Sequence, residues 1–78
     1  MVQMSVTFDC KANAAYIYLV KDVERASVKQ ILMDDKHVKG EIIIDMDKNG
    51  KLIGIEILNA TRLLSAELLR QAERLHSP

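Results

Sequence analysis

Residues 41–58 read EIIIDMDKNGKLIGIEIL, two apolar runs around a polar turn. Ile42, Ile44 and Met46 alternate on one side of the first run. Ile53, Ile55 and Ile57 alternate on one side of the second. Alternation of β-branched residues at period two predicts two half-buried strands. Asn49-Gly50 between them predicts a two-residue hairpin turn, because a type I′ turn needs two positive φ angles. That turn pairs Met46 with Ile53, Ile44 with Ile55 and Ile42 with Ile57 on one apolar face. It also sets Asp45, Asp47 and Glu56 together on the other. The alternative is a turn over residues 47–50 with Gly50 in a bulge. That register shifts by one, faces Asp45 with Ile53 and exchanges the sides.

The same stretch satisfies the calcium-loop pattern of an EF-hand, with Asp45, Asp47, Asn49, Gly50 and Glu56 at the required spacings. An EF-hand loop joins two helices, and both flanks here carry strand periodicity. The expected role of the pattern is a polar turn with hairpin charges, and no metal ligand is assigned. Paired carboxylates can do acid–base work when one has a raised pKa. Asp45 and Asp47 are expected at a solvated hairpin end, where a large shift does not arise. Glu56, flanked by isoleucines, is expected in a hydrogen bond or salt bridge at a strand or subunit contact.

Outward from the hairpin, Met4, Val6 and Phe8 alternate with Ser5 and Thr7 as a first strand. Asp9 ends it and can cap a single turn that leaves through a left-handed Asn13. Residues 14–20, AAYIYLV, form a continuous apolar run that suits a central strand. Tyr16 and Tyr18 share one side of it, and each hydroxyl needs a partner. That side is expected to be partly wet or to lie at an interface. A polar turn follows at residues 21–25. Residues 26–33 read as a weaker edge strand on which Lys29 discourages sheet aggregation. A charged loop spans residues 34–40. Ser65 is a good N-cap with Glu67 in the first turn, and Leu64 and Leu69 form a hydrophobic staple. Leu68, Leu69, Ala72 and Leu75 form the apolar stripe of a helix of about three turns. The expected fold is α+β: one domain over residues 1–78, an antiparallel meander of about five strands, and one C-terminal helix at about 65–76.

Composition excludes several function classes. A chain of 78 residues holds one domain with thin stability. About half of it is apolar (49%), yet Phe8, Tyr16 and Tyr18 are its only aromatics. So much aliphatic surface on so small a sheet predicts self-association, with a homodimer as the first expectation. Eleven basic residues balance eleven acidic ones, which argues against nucleic-acid binding. Cys10 is the single cysteine, so an intramolecular disulfide and a cysteine metal cluster are ruled out. No run reaches the ~18 apolar residues of a membrane span. Residues 1–6 lack a signal-peptide pattern, so a cytoplasmic protein is expected. His37 and His76 have no motif partner, the serines lack nucleophile-elbow glycines, and Gly40, Gly50 and Gly54 do not form a phosphate loop. No catalytic residue and no cofactor is assigned, and the protein is expected not to be an enzyme.

Two motifs carry a resemblance. Phe8-Asp9-x3-Asn13-Ala14-x-Tyr16-Ile17-x-Leu19 resembles the opening signature of the bacterial domain-of-unknown-function 2283 family. The second motif, from Ile44 through Asp47, Gly50, Leu52 and the run Gly54-Ile55-Glu56-Ile57-Leu58 to Ala60, is similar to its closing signature. The chain departs from the usual pattern at Asn13, where Asp is commoner, and at Cys10, where Pro is common. The resemblance implies a small antiparallel sheet with a C-terminal helix and brings no established activity. Some members look like one half of toxin–antitoxin pairs. The functional expectation is a non-enzymatic, self-associating protein-interaction module that can also engage a second protein. Tyr16, Tyr18, Asp45, Asp47 and Glu56 are the candidate partner contacts. The alternatives are an antitoxin-like partner of a small toxin, and a minor metal-binding protein using Asp45, Asp47 and Glu56.

Overall fold

The computed structural model describes residues 4–21 and 26–75. Residues 22–25 of the expected polar turn, residues 1–3, and the end that holds His76 lie outside the described residues. Five strands run antiparallel in one sheet: β1 (Ser5–Asp9), β2 (Ala14–Tyr18), β3 (Lys29–Met33), β4 (Glu41–Met46) and β5 (Leu52–Leu58). Two short helices follow, α1 (Ala60–Leu63) and α2 (Ala66–Gln71), and then a three-residue strand β6 (Glu73–Leu75). The strand order is β3-β4-β5-β2-β1-β6. The sheet is meander-like with one departure: β2 lies beside β5, not beside β3. That order, β3-β4-β5-β2, makes β2 to β5 a Greek-key arrangement.

The local signals behave as their chemistry requires. Asp9 Oδ1 accepts the N–H groups of Lys11 (3.0 Å) and Ala12 (3.2 Å), and Asn13 leaves the turn at φ 53°. Ser65 caps α2 by accepting the Leu68 N–H at 3.1 Å. The α2 helix stops well short of residue 76. Ala72 turns extended, and β6 pairs in parallel with β1, Thr7 facing Glu73 and Asp9 facing Leu75. Helical periodicity could not anticipate this, because the cause lies elsewhere in the chain. The outer edge of β1 presents unpaired backbone groups, and residues 73–75 satisfy them.

Registers across the sheet put Met33, Ile42, Ile57, Ala15 and Phe8 in one row, and Ile31, Ile44, Ile55, Ile17 and Val6 in the next. The helices cover the β1–β2–β5 end of this face. There Phe8, Ala15 and Ile57 pack with Ala60, Leu69 and Ala72, flanked by Leu63 and Leu64. Three of those six buried residues are alanines, so few large side chains are withdrawn from water. A fully buried Leu, Ile or Phe contributes about 1.5–3 kcal/mol, and the core is correspondingly thin. Among the described residues, no helix is long and apolar enough to cross a membrane.

The hairpin turn corrects the two-residue expectation. Gly50 donates its N–H to the Asp47 carbonyl, and the Asp47 N–H bonds the Lys51 carbonyl, both at 3.0 Å. Gly50 has φ 76°, and Asn49 is not among the positive-φ residues. The Asp47 carboxylate decides this by accepting the N–H groups of Asn49 (2.9 Å) and Lys51 (3.0 Å). An aspartate that bonds the backbone ahead of it favours this turn over the mirror-image one. Taken alone, the longer turn would slip the register by one. A bulge between Asp45 and Met46 removes the slip: Met46 faces Leu52, Asp45 faces Gly54, and Ile53 is the extra residue. Ile44 then faces Ile55 and Ile42 faces Ile57, as the alternation requires, while the expected Met46–Ile53 pair is absent. Burial explains why the register is recovered. Ile53 is 2% exposed, and a slipped strand would turn its isoleucines outward.

Candidate functional site

On the sheet face opposite the helices, one row runs Gln30, Asp45, Gly54, Tyr18, Ser5, and the next runs Leu32, Ile43, Glu56, Tyr16, Thr7. Gly54 leaves a gap in the first row. The Tyr16 ring leans diagonally into that gap, and its hydroxyl donates a short hydrogen bond to Asp45 Oδ2. The bond spans from β2 to β4, two strand spacings or about 10 Å, and only a residue without a Cβ at position 54 permits it. A Cβ there would lie 2.2 Å from the Tyr16 hydroxyl oxygen and 2.7 Å from the ring. Asp45 Oδ1 accepts from Gln30 Nε2 at 2.9 Å and from Ser27 Oγ at 3.2 Å. Three donors thus surround a carboxylate that is 4% exposed. A buried carboxylate is tolerated when its lone pairs are matched in this way. Tyr18 packs on Tyr16, with ring centroids 4.6 Å apart and planes tilted by 51°.

Four of the five candidate contact residues, Tyr16, Tyr18, Asp45 and Glu56, are therefore together on one face. Asp47 is not with them, because its carboxylate is committed to the turn. Asp45 corrects a further expectation, since it is buried under Tyr16 and not placed at a solvated end. Ser27 and Gln30 were not singled out from the sequence. The available signal was Gln30 interrupting the apolar side of its strand, just as Asp45 interrupts residues 42–46. The EF-hand pattern has strands on both sides, and two of its would-be ligands, Asp45 and Asp47, are engaged as described. His37 is exposed in the 34–40 loop.

Burial chiefly, then the hydrogen bond to Asp45, push the Tyr16 phenol well above its ordinary value. The negative charge of Asp45 and lesser contributions from Tyr18 and Glu56 act in the same direction. A pKa raised on folding means the folded state holds its proton more tightly. The associated stability is complete below the ordinary tyrosine value of about 10, and it is lost as pH rises from there toward the folded value. In a phenolate absorbance titration, subtracting a Tyr16→Phe variant from the native chain isolates this group. The difference signal is expected above the ordinary range while the protein stays folded. Ionisation of Tyr16 at about 10 in the folded chain would contradict the geometry.

A second cluster joins the β1–β2 turn to the end of β5. Asn13 Nδ2 donates to Asn59 Oδ1 (3.1 Å) and Thr61 Oγ1 (3.0 Å), and Asn13 Oδ1 accepts the Thr61 N–H (3.1 Å). Asn59, at φ 63°, donates to the Lys39 carbonyl at 2.6 Å. An ionised aspartate at position 13 could accept but not donate, so this arrangement is specific to the amide.

A family model described as "Protein of unknown function (DUF2283)" matches residues 5–60, well over half of the chain. The match includes Tyr16, Ser27, Gln30, Asp45 and Gly54, and it stops where α1 begins. No curated protein and no solved structure matches the chain.

Proposed function

The chain belongs to the DUF2283 family of proteins of unknown function, and on that footing we propose that it is a non-enzymatic module that works by associating with itself. One observation carries this reading. Strand β3 is exposed along its whole length, and its apolar residues Ile31, Leu32 and Met33 stand 42%, 52% and 44% exposed at an edge of the sheet that is free among the described residues. Single exposed apolar residues are ordinary on a protein surface. Three in succession on an unpaired edge strand are a template for another strand. The Asp45 cluster supports a structural role for the acids: the Asp45 carboxylate is saturated by donors inside the sheet, and that of Asp47 is engaged in the turn. Sedimentation at micromolar concentrations is expected to show a dimer that dissociates on dilution. A monomer throughout that range would overturn the reading.

A further inference from the structure

We propose that two copies join through their β3 edges, antiparallel, about a two-fold axis that passes between Leu32 and Leu32 of the second copy. This deepens the self-association reading and rests on it. The partner is specified by the residues along the edge. Directly opposed residues in an antiparallel pair point to the same face, so a two-fold pairing must set one residue opposite its own copy. With Leu32 at that point, Ile31 faces Met33 and Lys29 faces Asp35, each pair occurring twice. Gln30 faces Asp34, and no like charges meet. Centring on Ile31 sets Lys29 against Met33 and strands Asp34 opposite Val28. Centring on Met33 sets Asp34 and Asp35 against Leu32 and Ile31. Apart from Val28, which falls opposite Lys36, the Leu32 register matches charge with charge and apolar with apolar, and it alone of these three sets Lys29 opposite an acid.

The same register continues the rows of the sheet. Ile31 and Met33 extend the apolar rows of Ile44 and Ile42, and the pairing carries both rows into the second copy. Lys29 then has a double function. Against an arbitrary strand it disfavours pairing, while against its own copy it meets an aspartate and selects the register. A two-fold pairing uses the β3 edge of each copy, so this contact closes at two copies.

Sedimentation and thiol crosslinking together test this. A Leu32→Cys variant is expected to form a disulfide with its own copy under mild oxidation, mapped to position 32, because opposed residues of a strand pair come within disulfide range. Lys29→Asp is expected to weaken the dimer by about tenfold or more, since the symmetric interface counts each reversed pair twice. Asp35→Lys should weaken it likewise. Its loss of the bond to the His37 N–H (2.8 Å) perturbs the loop as well. Mixing the two variants restores opposite charges at both contacts, so association should recover, which loop damage cannot mimic. If Asp35→Lys fails to fold, the crosslink decides. A dimer that neither crosslinks at position 32 nor responds to Lys29→Asp overturns this pairing and leaves self-association standing. A monomer overturns both.

Discussion

Gly54→Ala is expected to lower the unfolding free energy by about 3 kcal/mol. The added methyl would meet the Tyr16 hydroxyl at 2.2 Å and the ring at 2.7 Å, far inside contact distance. Neighbours on both strands hold the backbone of β5, so the ring must move. It then abandons Asp45, and a buried carboxylate loses its hydroxyl donor. Loss of a hydrogen bond to a charged group costs about 1.5–3 kcal/mol, and displacement of a packed ring adds to it. Reduced freedom of the unfolded chain offsets about 0.5 kcal/mol. For a domain of this size the total stability is about 4–12 kcal/mol, so the loss is a large share of it. Urea denaturation followed by circular dichroism measures it. The mechanism is checked in a Tyr16→Ala background, where the methyl has room. There Gly54→Ala should cost less than about 0.5 kcal/mol. An equal cost in both backgrounds would show that the glycine is needed for the backbone and not for the tyrosine.

Asp45→Ala should cost about 3–4 kcal/mol. It strips the acceptor from Tyr16, Ser27 and Gln30 together, and it opens a small void beneath the tyrosine ring. Donors left near the surface recover part of the loss by reaching water, and for that reason the figure is not the sum of three bonds. Asp45→Asn keeps one acceptor oxygen for Tyr16 and should cost about half as much. The same denaturation series measures both. If Asp45→Asn proved as costly as Asp45→Ala, charge would dominate over the hydrogen-bond count. If both were neutral, the cluster would not hold the sheet together.

Alternation at period two was enough to place β1, β4 and β5, a continuous apolar run placed β2, and the mixed pattern of residues 26–33 correctly marked an edge. The caps at Asp9 and Ser65 were legible because each acts within a few residues of itself. The requirement that a buried tyrosine find a partner was legible from its chemistry, as was the isolation of Tyr16, Tyr18, Asp45 and Glu56 from the apolar face. All of these depend on neighbours in sequence or on a residue's own needs, and the sequence alone determined them. Tertiary structure decided the rest. Asp45 became buried because Gly54, Tyr16, Ser27 and Gln30 converge on it from three other segments, and no local pattern encodes that convergence. The helix gave way to β6 because the unpaired edge of β1 had backbone groups to satisfy. In the stretch from Glu41 to Leu58, the turn was chosen locally by the Asp47 carboxylate, but the register was chosen globally. The two disagreed by one residue, and burial of the isoleucines outweighed the cost of a bulge at Ile53.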